Sequence, residues 1–438
     1  MLADARRIPN GAELRADLCI IGAGPAGITV ARELASSGLE ICMLESGGLE
    51  PDPATQALTE GTSIGLPYYR LEATRLRYFG GTSNHWEGVC APLEPIDFER
   101  RAWIANSGWP FGAEELAPFY VRAQELCELG PFAYTADHWD PGAQRRLPFD
   151  TDVFRSRILQ ISPTRFGQAY RPDLESASGM RVYLHANAVE LECEGAEIAR
   201  VKVACLAGNR FAVRARCYVV AAGAIANARL LLASNRARRA GIGNEHDLVG
   251  RYFMEHLAVA CAVFLRAGHE LDLAFYTDAK VGGVTRLGTL NPSESVQRRE
   301  QLANMRLVFD RAPTHELVRA SSPGLAAADR VIGDLREGRM PEDLGEDALE
   351  ILLDLDEVAL YGYRTRFNPA PRRRGRFLIA CVEQEPNPAS RVTLSDRRDA
   401  LGLPTVVLDW RLGEIERSTL RRTLRILAAE CGRTGIGR

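Results

Sequence analysis

Asp17-Leu-Cys-Ile-Ile-Gly22-Ala-Gly-Pro-Ala-Gly27 is the stretch that decides the fold of this 438-residue chain. The apolar run that ends at Ile21 is typical of a parallel strand buried on both faces. A helical stretch from Ile28 to Ser37 follows the glycines, and a second apolar strand from Glu40 to Leu44 leads into Glu45. Strand, glycine turn, helix, strand and acid in this order predict a mononucleotide-binding βαβ unit.

The three glycines of the turn have separate physical roles. Gly22 permits a tight turn, Gly24 lets a pyrophosphate approach the backbone, and Gly27 lets the helix pack close to the strand. The start of the helix, with Pro25 and Ala26 beside it, offers free N–H groups and a positive dipole end to a phosphate. This turn is therefore the predicted pyrophosphate site.

The acid after the second strand completes the unit. Glu45, followed by Ser46, lies where a carboxylate can accept hydrogen bonds from both hydroxyls of a ribose. A glycine fingerprint with an acid at this spacing predicts a bound dinucleotide, but it does not distinguish FAD from NAD.

A second apolar strand that breaks at a glycine lies near the middle of the chain. Cys217–Ala222 leads into Gly223 and then into a predicted helix from Ala224 to Ser234. Upstream, the pattern predicts one strand followed by a hairpin, over 181–192, 198–206 and 210–215. A chain that leaves its dinucleotide-binding fold and returns to it is typical of large FAD enzymes.

Composition excludes several classes of protein. The formal net charge of −3 and the pI near 6.2 argue against an electrostatic nucleic-acid binder. No apolar stretch approaches the ~20 residues that cross a bilayer. The ten cysteines form no C-x-x-C pair, and the histidines show no metal-ligand spacing, so no metal site is predicted. These features predict a cytoplasmic protein with buried thiols.

A second glycine motif lies between the two strand units. Arg77-Tyr-Phe-Gly80-Gly81-Thr82-Ser83-Asn84-His85-Trp86-Glu87-Gly88 is a loop whose backbone can approach a flat ligand. Together with the fingerprint at 22–27 and the segment VVAAGAIANARLLLAS at 219–234, this loop resembles the glucose–methanol–choline (GMC) oxidoreductase family. The His85–Trp86 pair looks closest to the bacterial sugar dehydrogenase and pyranose oxidase branch.

Further motifs extend the resemblance over nearly the whole chain. They are Ser107-Gly-Trp-Pro110, Leu248-Val-Gly-Arg-Tyr-Phe-Met-Glu-His256, Glu383-Gln-Glu-Pro-Asn-Pro388 and Ser390-Arg-Val-Thr-Leu394. The resemblance implies FAD as the cofactor and the oxidation of a CH–OH group by hydride transfer to flavin N5. It also implies which residues contact FAD: Gly22, Gly24, Pro25, Ala26, Gly27, Glu45, Ser46, Gly80, Gly81, Thr82, Ser83, Asn84, His85, Trp86, Val189, Ala222 and Gly223.

His85 has two alternative roles beside the flavin. In some family members a histidine of this loop is joined covalently to the flavin 8α-methyl group, and the His85–Trp86 pair matches that pattern. Other members with similar loops bind FAD non-covalently. The alternative is therefore a histidine that packs or forms hydrogen bonds beside the ring.

Two further side chains are candidates for a catalytic base. Glu87 is a carboxylate close to the flavin loop, which could be a base of raised pKa or could point away from the ring. His256 ends the Phe-Met-Glu-His segment, which in the family is more often structural. Family members carry their catalytic pair, His–His or His–Asn, near the C-terminus, whereas the last histidine here is His315. We therefore expect the C-terminal catalytic segment to be absent from this chain.

The expected fold is α/β, with a Rossmann-like FAD-binding domain interleaved with a substrate domain on an antiparallel sheet. Residues 14–100 and 180–256 form the predicted FAD-binding domain, 101–179 and 257–412 the substrate-binding cap region, and 413–438 a terminal helix and a truncated end.

The predicted function is FAD-dependent oxidation of a small alcohol or sugar. The alternative is a degenerate or incomplete flavin-binding protein that needs a partner or a further C-terminal segment. A nicotinamide-dependent or other flavoenzyme that binds two dinucleotides is disfavoured, because no second G-x-G-x-x-G follows a strand further along the chain. The sequence identifies neither the substrate nor the electron acceptor.

Overall fold

The computed structural model describes residues 1–140, 146–265, 272–310, 322–336, 338, 340–341, 343–356, 358–359 and 375–437. The described strands are β1 Leu2–Asp4, β2 Glu13–Ile21, β3 Ile41–Leu44, β4 Gly61–Gly65, β5 Val89–Cys90, β6 Phe154–Ile161, β7 Met180–Leu184, β8 Asn187–Glu194, β9 Glu197–Ala204, β10 Arg210–Val220, β11 Leu257–Leu265, β12 Ala279–Val281, β13 Val284–Pro292, β14 Met305–Asp310, β15 Gly375–Val382, β16 Arg391–Arg398 and β17 Pro404–Trp410.

The described α-helices are α1 Pro25–Leu34, α2 Pro53–Ala57, α3 Leu71–Thr74, α4 Pro95–Phe98, α5 Ala113–Leu126, α6 Ala136–Trp139, α7 Phe166–Ser176, α8 Ala224–Ala233, α9 Glu294–Glu300, α10 Pro323–Arg336, α11 Leu344–Leu353 and α12 Glu414–Thr434. Short 3₁₀ turns lie at Ala5–Arg7, Gly81–Asn84 and Ala274–Tyr276.

A seven-stranded sheet carries the predicted βαβ unit, in the order β1-β7-β3-β2-β10-β9-β8. β1, β7, β3, β2 and β10 are parallel, whereas β9 and β8 continue the sheet antiparallel. All four residues of β3 and the last four of β2 are buried, as expected for apolar strands covered on both faces. Ile21 of β2 lies opposite Leu44 of β3 and Val220 of β10, so these strands end together at one edge.

Helix α1 begins earlier than the sequence pattern predicts. The prediction placed its start at Ile28, but the helix runs from Pro25 to Leu34. Proline at the first position has no N–H to lose and its fixed φ suits a helix start. Gly24 is the N-cap residue, so the helix N-terminus lies directly on the glycine turn.

Two strand predictions were wrong in their boundaries. The stretch 181–192 is two strands, because His185 adopts a left-handed φ of 62° and ends β7 before β8 begins at Asn187. Conversely, the predicted strands at 210–215 and 217–222 are the single strand β10, Arg210–Val220. The predicted hairpin is confirmed, since β10 pairs antiparallel with β9.

A second sheet is antiparallel and runs in the order β11-β15-β14-β13-β6-β5, with β12 paired to β13. Its core includes Phe275 and Tyr276, both fully buried, together with Leu307. Leu427 of α12 packs into the same core. The parallel and antiparallel sheets together confirm the predicted α/β fold.

A small third sheet joins distant parts of the chain. β16 pairs antiparallel with β17, and β17 pairs parallel with β4. Arg229 of α8 forms a buried ion pair with Asp399, which follows β16, at 2.7 Å between Nη2 and Oδ2. This contact fixes α8, and with it the Gly223 turn, against the third sheet.

Candidate cofactor cleft

A cleft of about 750 Å³ opens at the edge where β2, β3 and β10 end. Ligands of open α/β sheets bind outside the carboxyl ends of parallel strands, so this is the expected place for a dinucleotide. The predicted cofactor residues that line the cleft are Gly22, Gly24, Pro25, Ala26, Glu45, Ser46, Gly81, Thr82, Ala222 and Gly223. Those that do not are Gly27, Gly80, Ser83, Asn84, His85, Trp86 and Val189.

Two helices begin at the cleft. Gly24 is the N-cap residue of α1 and Gly223 is the N-cap residue of α8, and neither N-cap has a side-chain hydrogen bond. The first N–H groups of a helix have no partner within it, and the helix dipole makes that end positive. The cleft therefore carries two positive helix ends that suit a pyrophosphate.

The glycines at these turns fall into two kinds. A Cβ built at Gly24 or Gly223 would meet no atom within 4 Å, so a side chain at either position would project into open space. A Cβ at Gly27 would lie 2.0 Å from the carbonyl oxygen of Gly22, and one at Gly22 would lie 2.6 Å from that of Ala221. Gly24 and Gly223 thus keep the cleft clear, whereas Gly22 and Gly27 serve close backbone packing. This room fits a dinucleotide.

Glu45 is buried at the end of β3 and lines the cleft. Its Oε2 accepts a hydrogen bond from Ala23 N–H and its Oε1 one from Gly47 N–H, each at 2.9 Å. Burial raises the pKa of this carboxyl, against the opposing effect of those backbone donors and of Arg77. The carboxylate therefore fixes the glycine turn, and the residue also lines the cleft.

Three arginines that the sequence prediction missed also line the cleft: Arg75, Arg77 and Arg229. Arg77 Nε donates to Ser46 Oγ, and Ser46 Oγ donates to Asn187 Oδ1 at 2.5 Å. Burial lowers the pKa of Arg77 and that of Arg75 to about 10, so both remain cationic at neutral pH. In the sequence, the Arg75-x-Arg77 spacing before Gly80–Gly81 could have identified two of these three arginines.

The Gly80–Gly81 loop divides between the cleft and the core. Both glycines have positive φ, 96° and 56°, and Gly81 and Thr82 face the cleft. Behind them, Ser83 Oγ donates to the carbonyl of Gly80 at 2.7 Å. Asn84 Nδ2 donates to the carbonyl of Phe79 at 2.9 Å. Ser83 and Asn84 therefore hold the loop in shape.

The His–Trp pair of this loop lies outside the cleft lining. Trp86 Nε1 donates to the carbonyl of Thr164 at 2.9 Å, and its ring packs edge-on against Phe166. His85 is exposed to solvent. Val189, expected near adenine, packs beside the small core of Leu58 and Leu401, while its neighbour Ala188 lines the cleft.

Glu87 and His256, the two candidates for a base, are both exposed and neither lines the cleft. His256 Nδ1 lies 2.9 Å from Glu255 Oε1, and this hydrogen bond raises the pKa of the imidazole. Glu255, which the sequence prediction did not include, does line the cleft.

Within the described residues, no group of three or more histidine, cysteine or acidic side chains is arranged to hold a metal ion. Among the helices of these same residues, none combines the length and the apolar character that a bilayer crossing requires.

Comparison with protein families gives a direct match. The profile of the family described as FAD dependent oxidoreductase matches residues 17–244, more than half of the chain. This range contains the glycine fingerprint, the Gly80–Gly81 loop and the Gly223 turn.

Individual relatives agree with the family match. The chain is 24% identical to the 2-methyl-1,2-propanediol dehydrogenase of Mycolicibacterium austroafricanum, over 57% of this chain and 56% of the relative. It is 23% identical to the fructose dehydrogenase large subunit of Gluconobacter japonicus, over 97% of this chain and 85% of the relative. The match thus spans little more than half the length of the first of these relatives.

Among solved structures, the pyridoxine 4-oxidase from Mesorbium loti shares the fold. The TM-score is 0.51 with 16% sequence identity, and the match covers 94% of this chain and 80% of that structure.

Proposed function

Because the chain belongs to the FAD-dependent oxidoreductase family and carries the motifs of its glucose–methanol–choline type, we propose that it oxidises a CH–OH group of a small alcohol or sugar. FAD, the cofactor of the family, supplies the acceptor for the hydride that leaves the carbinol carbon. The relatives support the substrate class, since one is named for a diol and another for a sugar.

The observation that carries the FAD assignment is the pair of helix N-termini at one cleft. α1 and α8 both begin at a glycine whose missing Cβ leaves the space in front of the helix open. Two positive helix ends facing one open cleft suit the two phosphates of a dinucleotide.

We assign each part of FAD to a group of residues at the cleft. Gly24 and Gly223 would bind the pyrophosphate, and Glu45, Ser46 and Arg77 would hold the adenosine ribose. Ala188, next to Val189, would lie against adenine. Gly81 and Thr82 would contact the isoalloxazine, with His85 nearby.

We also propose which parts of the chain bind FAD and which bind the substrate. Residues 14–100 and 180–256 would bind FAD, and 101–179 with 257–412 would form the substrate side, while 413–438 carries the terminal helix. The sheets support this in outline, since β6 and β11–β15 build the antiparallel sheet. β5 and β4 lie within the first range, yet they pair with β6 and β17.

A cytoplasmic location is part of the proposal. All ten cysteines are free thiols, and Cys19, Cys42, Cys205 and Cys431 are buried. Free thiols at this number suit a reducing compartment.

A second candidate function is flavin binding without independent turnover. It is favoured by one observation: no histidine is among the cleft-lining residues in the described part of the chain. A positioned proton acceptor typically contributes about 10²–10⁴-fold to such a reaction.

Anaerobic mixing separates the two functions. The FAD-loaded 438-residue protein is mixed, without oxygen, with 2-methyl-1,2-propanediol, fructose and a panel of simple alcohols. Bleaching of the flavin absorbance by any of them supports the oxidoreductase. Stable oxidised flavin with all of them, in a protein that dithionite reduces readily, supports the binding protein.

A further inference from the structure

Glu255 connects the cofactor cleft to the protein surface. Its side chain lines the cleft and is 34% exposed. Its Oε2 accepts a hydrogen bond at 3.2 Å from the hydroxyl of Tyr68, which also lines the cleft. Its Oε1 lies 2.9 Å from Nδ1 of His256, whose side chain is 66% exposed. Phenol, carboxylate and imidazole thus form a continuous hydrogen-bonded path from the cleft to solvent.

The backbone of this path is fixed from the core. Glu255 N–H donates to Oε1 of the buried Gln384 at 3.1 Å. Trp410 Nε1 donates to the same oxygen at 2.9 Å, and Gln384 Nε2 donates to the carbonyl of Arg411 at 2.7 Å. The Tyr68 ring packs edge-on against Trp410. Gln384 therefore fixes the backbone of Glu255, and Tyr68, packed on Trp410, fixes its carboxylate.

Several charged groups face these three side chains. The hydrogen bond to Glu255 is the largest cause that raises the His256 pKa. Arg306 lowers this pKa, and Glu87 raises it. Burial would raise the pKa of Glu255, but the bonds from His256 outweigh it and the pKa is lowered. Burial and Glu255 raise the pKa of Tyr68 to about 12, against the effect of Arg75. The carboxylate is thus ionised and the phenol stays a donor.

We infer that Glu255 and His256 form a proton relay between the cofactor cleft and solvent. The inference rests on the proposed function. When an alcohol is oxidised, the C–H bond breaks with its electron pair passing to FAD, and the O–H proton must leave. That proton protonates the Glu255 carboxylate. In the neutral His256 tautomer that carries its proton on Nε2, Nδ1 accepts the proton from Glu255 and the ring releases the Nε2 proton to water. The exposed ring then returns to the Nε2–H form by proton exchange with water. Glu255 and His256 are positioning residues here, since neither is shown in contact with a substrate.

The chain offers a matched control for this pair. Glu245 and His246 are a second Glu-His dipeptide, both exposed and absent from the cleft lining. Glu245 pairs with Arg238 instead. E245Q and H246A therefore test the loss of the same groups where no relay is expected.

The first experiment measures the His256 pKa by NMR of ¹³C-histidine-labelled protein. E255Q should lower that pKa, because the largest cause of its elevation is removed, and E245Q should leave it unchanged. A His256 signal that titrates at the same pH in the parent protein and in E255Q would overturn the relay. This readout is independent of any oxidation of alcohol.

The second experiment follows proton uptake with a pH-indicator dye when reduced methyl viologen, an electron donor that neither takes up nor releases protons, reduces the bound flavin. E255Q should slow the uptake, and it should lower alcohol turnover by about 10²-fold, the lower end of the effect of a positioned proton-transfer group. Proton uptake should also be slower in H256A. Added imidazole should restore the rate, because the His256 ring of the parent protein lies at the surface and a free imidazole can take its place. A purely structural role would give no rescue.

The failures of the two proposals are distinguishable. If the parent protein binds FAD but no alcohol reduces it, the proposed function fails, and the NMR and proton-uptake data still decide the relay. If the parent protein turns over and E255Q matches it in both turnover and proton uptake, the relay is wrong and the proposed function stands.

Discussion

The Oε2 atom of Glu45 accepts a hydrogen bond from the backbone N–H of Ala23 at 2.9 Å. This contact ties the end of β3 to the glycine turn after β2, so one buried carboxylate shapes the proposed phosphate site and also lines the cleft. Loss of the carboxylate should therefore disturb folding as well as cofactor binding.

Glu45→Ala should destabilise the protein by about 2–6 kcal/mol, because the N–H groups of Ala23 and Gly47 would each lose a partner at roughly 1–3 kcal/mol per group. Glu45→Gln retains one acceptor oxygen and should cost less. Chemical denaturation of both variants, beside Glu60→Gln at an exposed position, checks this. Equal stability of Glu45→Ala and the parent protein would contradict the role of the carboxylate.

The raised pKa of Glu45 gives the same site a pH dependence. The folded pKa lies above the ordinary 4.5, so the folded state holds this proton more tightly than the unfolded chain does. This proton-linked contribution to the free energy of unfolding is complete below pH 4.5 and is lost as the pH rises through the folded pKa. Subtracting the pH–stability curve of Glu45→Gln from that of the parent should leave a contribution that falls with pH. A difference that rises with pH would contradict this sign.

Gly24 and Gly27 should separate cofactor binding from folding. Gly24→Val should abolish FAD binding while changing the free energy of unfolding by less than about 1 kcal/mol, since its Cβ meets no protein atom. Gly27→Ala should instead destabilise the fold, because its Cβ would lie 2.0 Å from the Gly22 carbonyl oxygen. Calorimetric FAD titration and thermal melts of the apo-proteins give both quantities. Normal FAD binding by Gly24→Val would rule out the pyrophosphate site.

Arg77 should contribute directly to FAD affinity. Arg77→Met removes the guanidinium that bonds Ser46 at the cleft, and hydrogen bonds of charged groups contribute about 1.5–3 kcal/mol, or roughly 10- to 150-fold in Kd. Flavin fluorescence quenching measures this Kd. Arg70→Met, at a side chain that is 79% exposed, is the control and should bind FAD normally. An unchanged Kd in Arg77→Met would remove Arg77 from the site.

The flavin should be released when the protein is precipitated with acid. His85 is exposed and does not line the cleft, which favours non-covalent binding over the alternative covalent link. The absorbance of the supernatant measures the released flavin. Flavin that remains with the parent polypeptide and is freed only in His85→Ala would establish the covalent link instead.

Local sequence pattern predicts those elements of the fold that are determined by residues close together in the chain. The βαβ unit follows from apolar strands around a glycine turn, whereas the antiparallel sheet was expected only because of the family resemblance. The break at His185 was missed because a left-handed residue other than glycine leaves no clear pattern. The continuity of β10 past Arg216 was missed because its exposed residues 216 and 217 look like a turn.

The cleft was predicted less completely than the fold. The glycines and Glu45 belong to a motif with fixed spacing, so they could be identified from sequence. Tyr68 and Glu255 are 187 residues apart, and only the folded chain brings the phenol to the carboxylate. The arginines were missed for a similar reason, since Arg229 reaches the cleft from a helix that carries no other charge.

The central claim is that the cleft at the ends of β2, β3 and β10 binds FAD. The most direct measurement is identification of the cofactor bound by the purified 438-residue protein, by denaturing it and separating the released nucleotides chromatographically. The account predicts FAD at one equivalent per chain in the parent protein and none in Gly24→Val. Release of NAD without flavin, or equal FAD content in the two proteins, would contradict it.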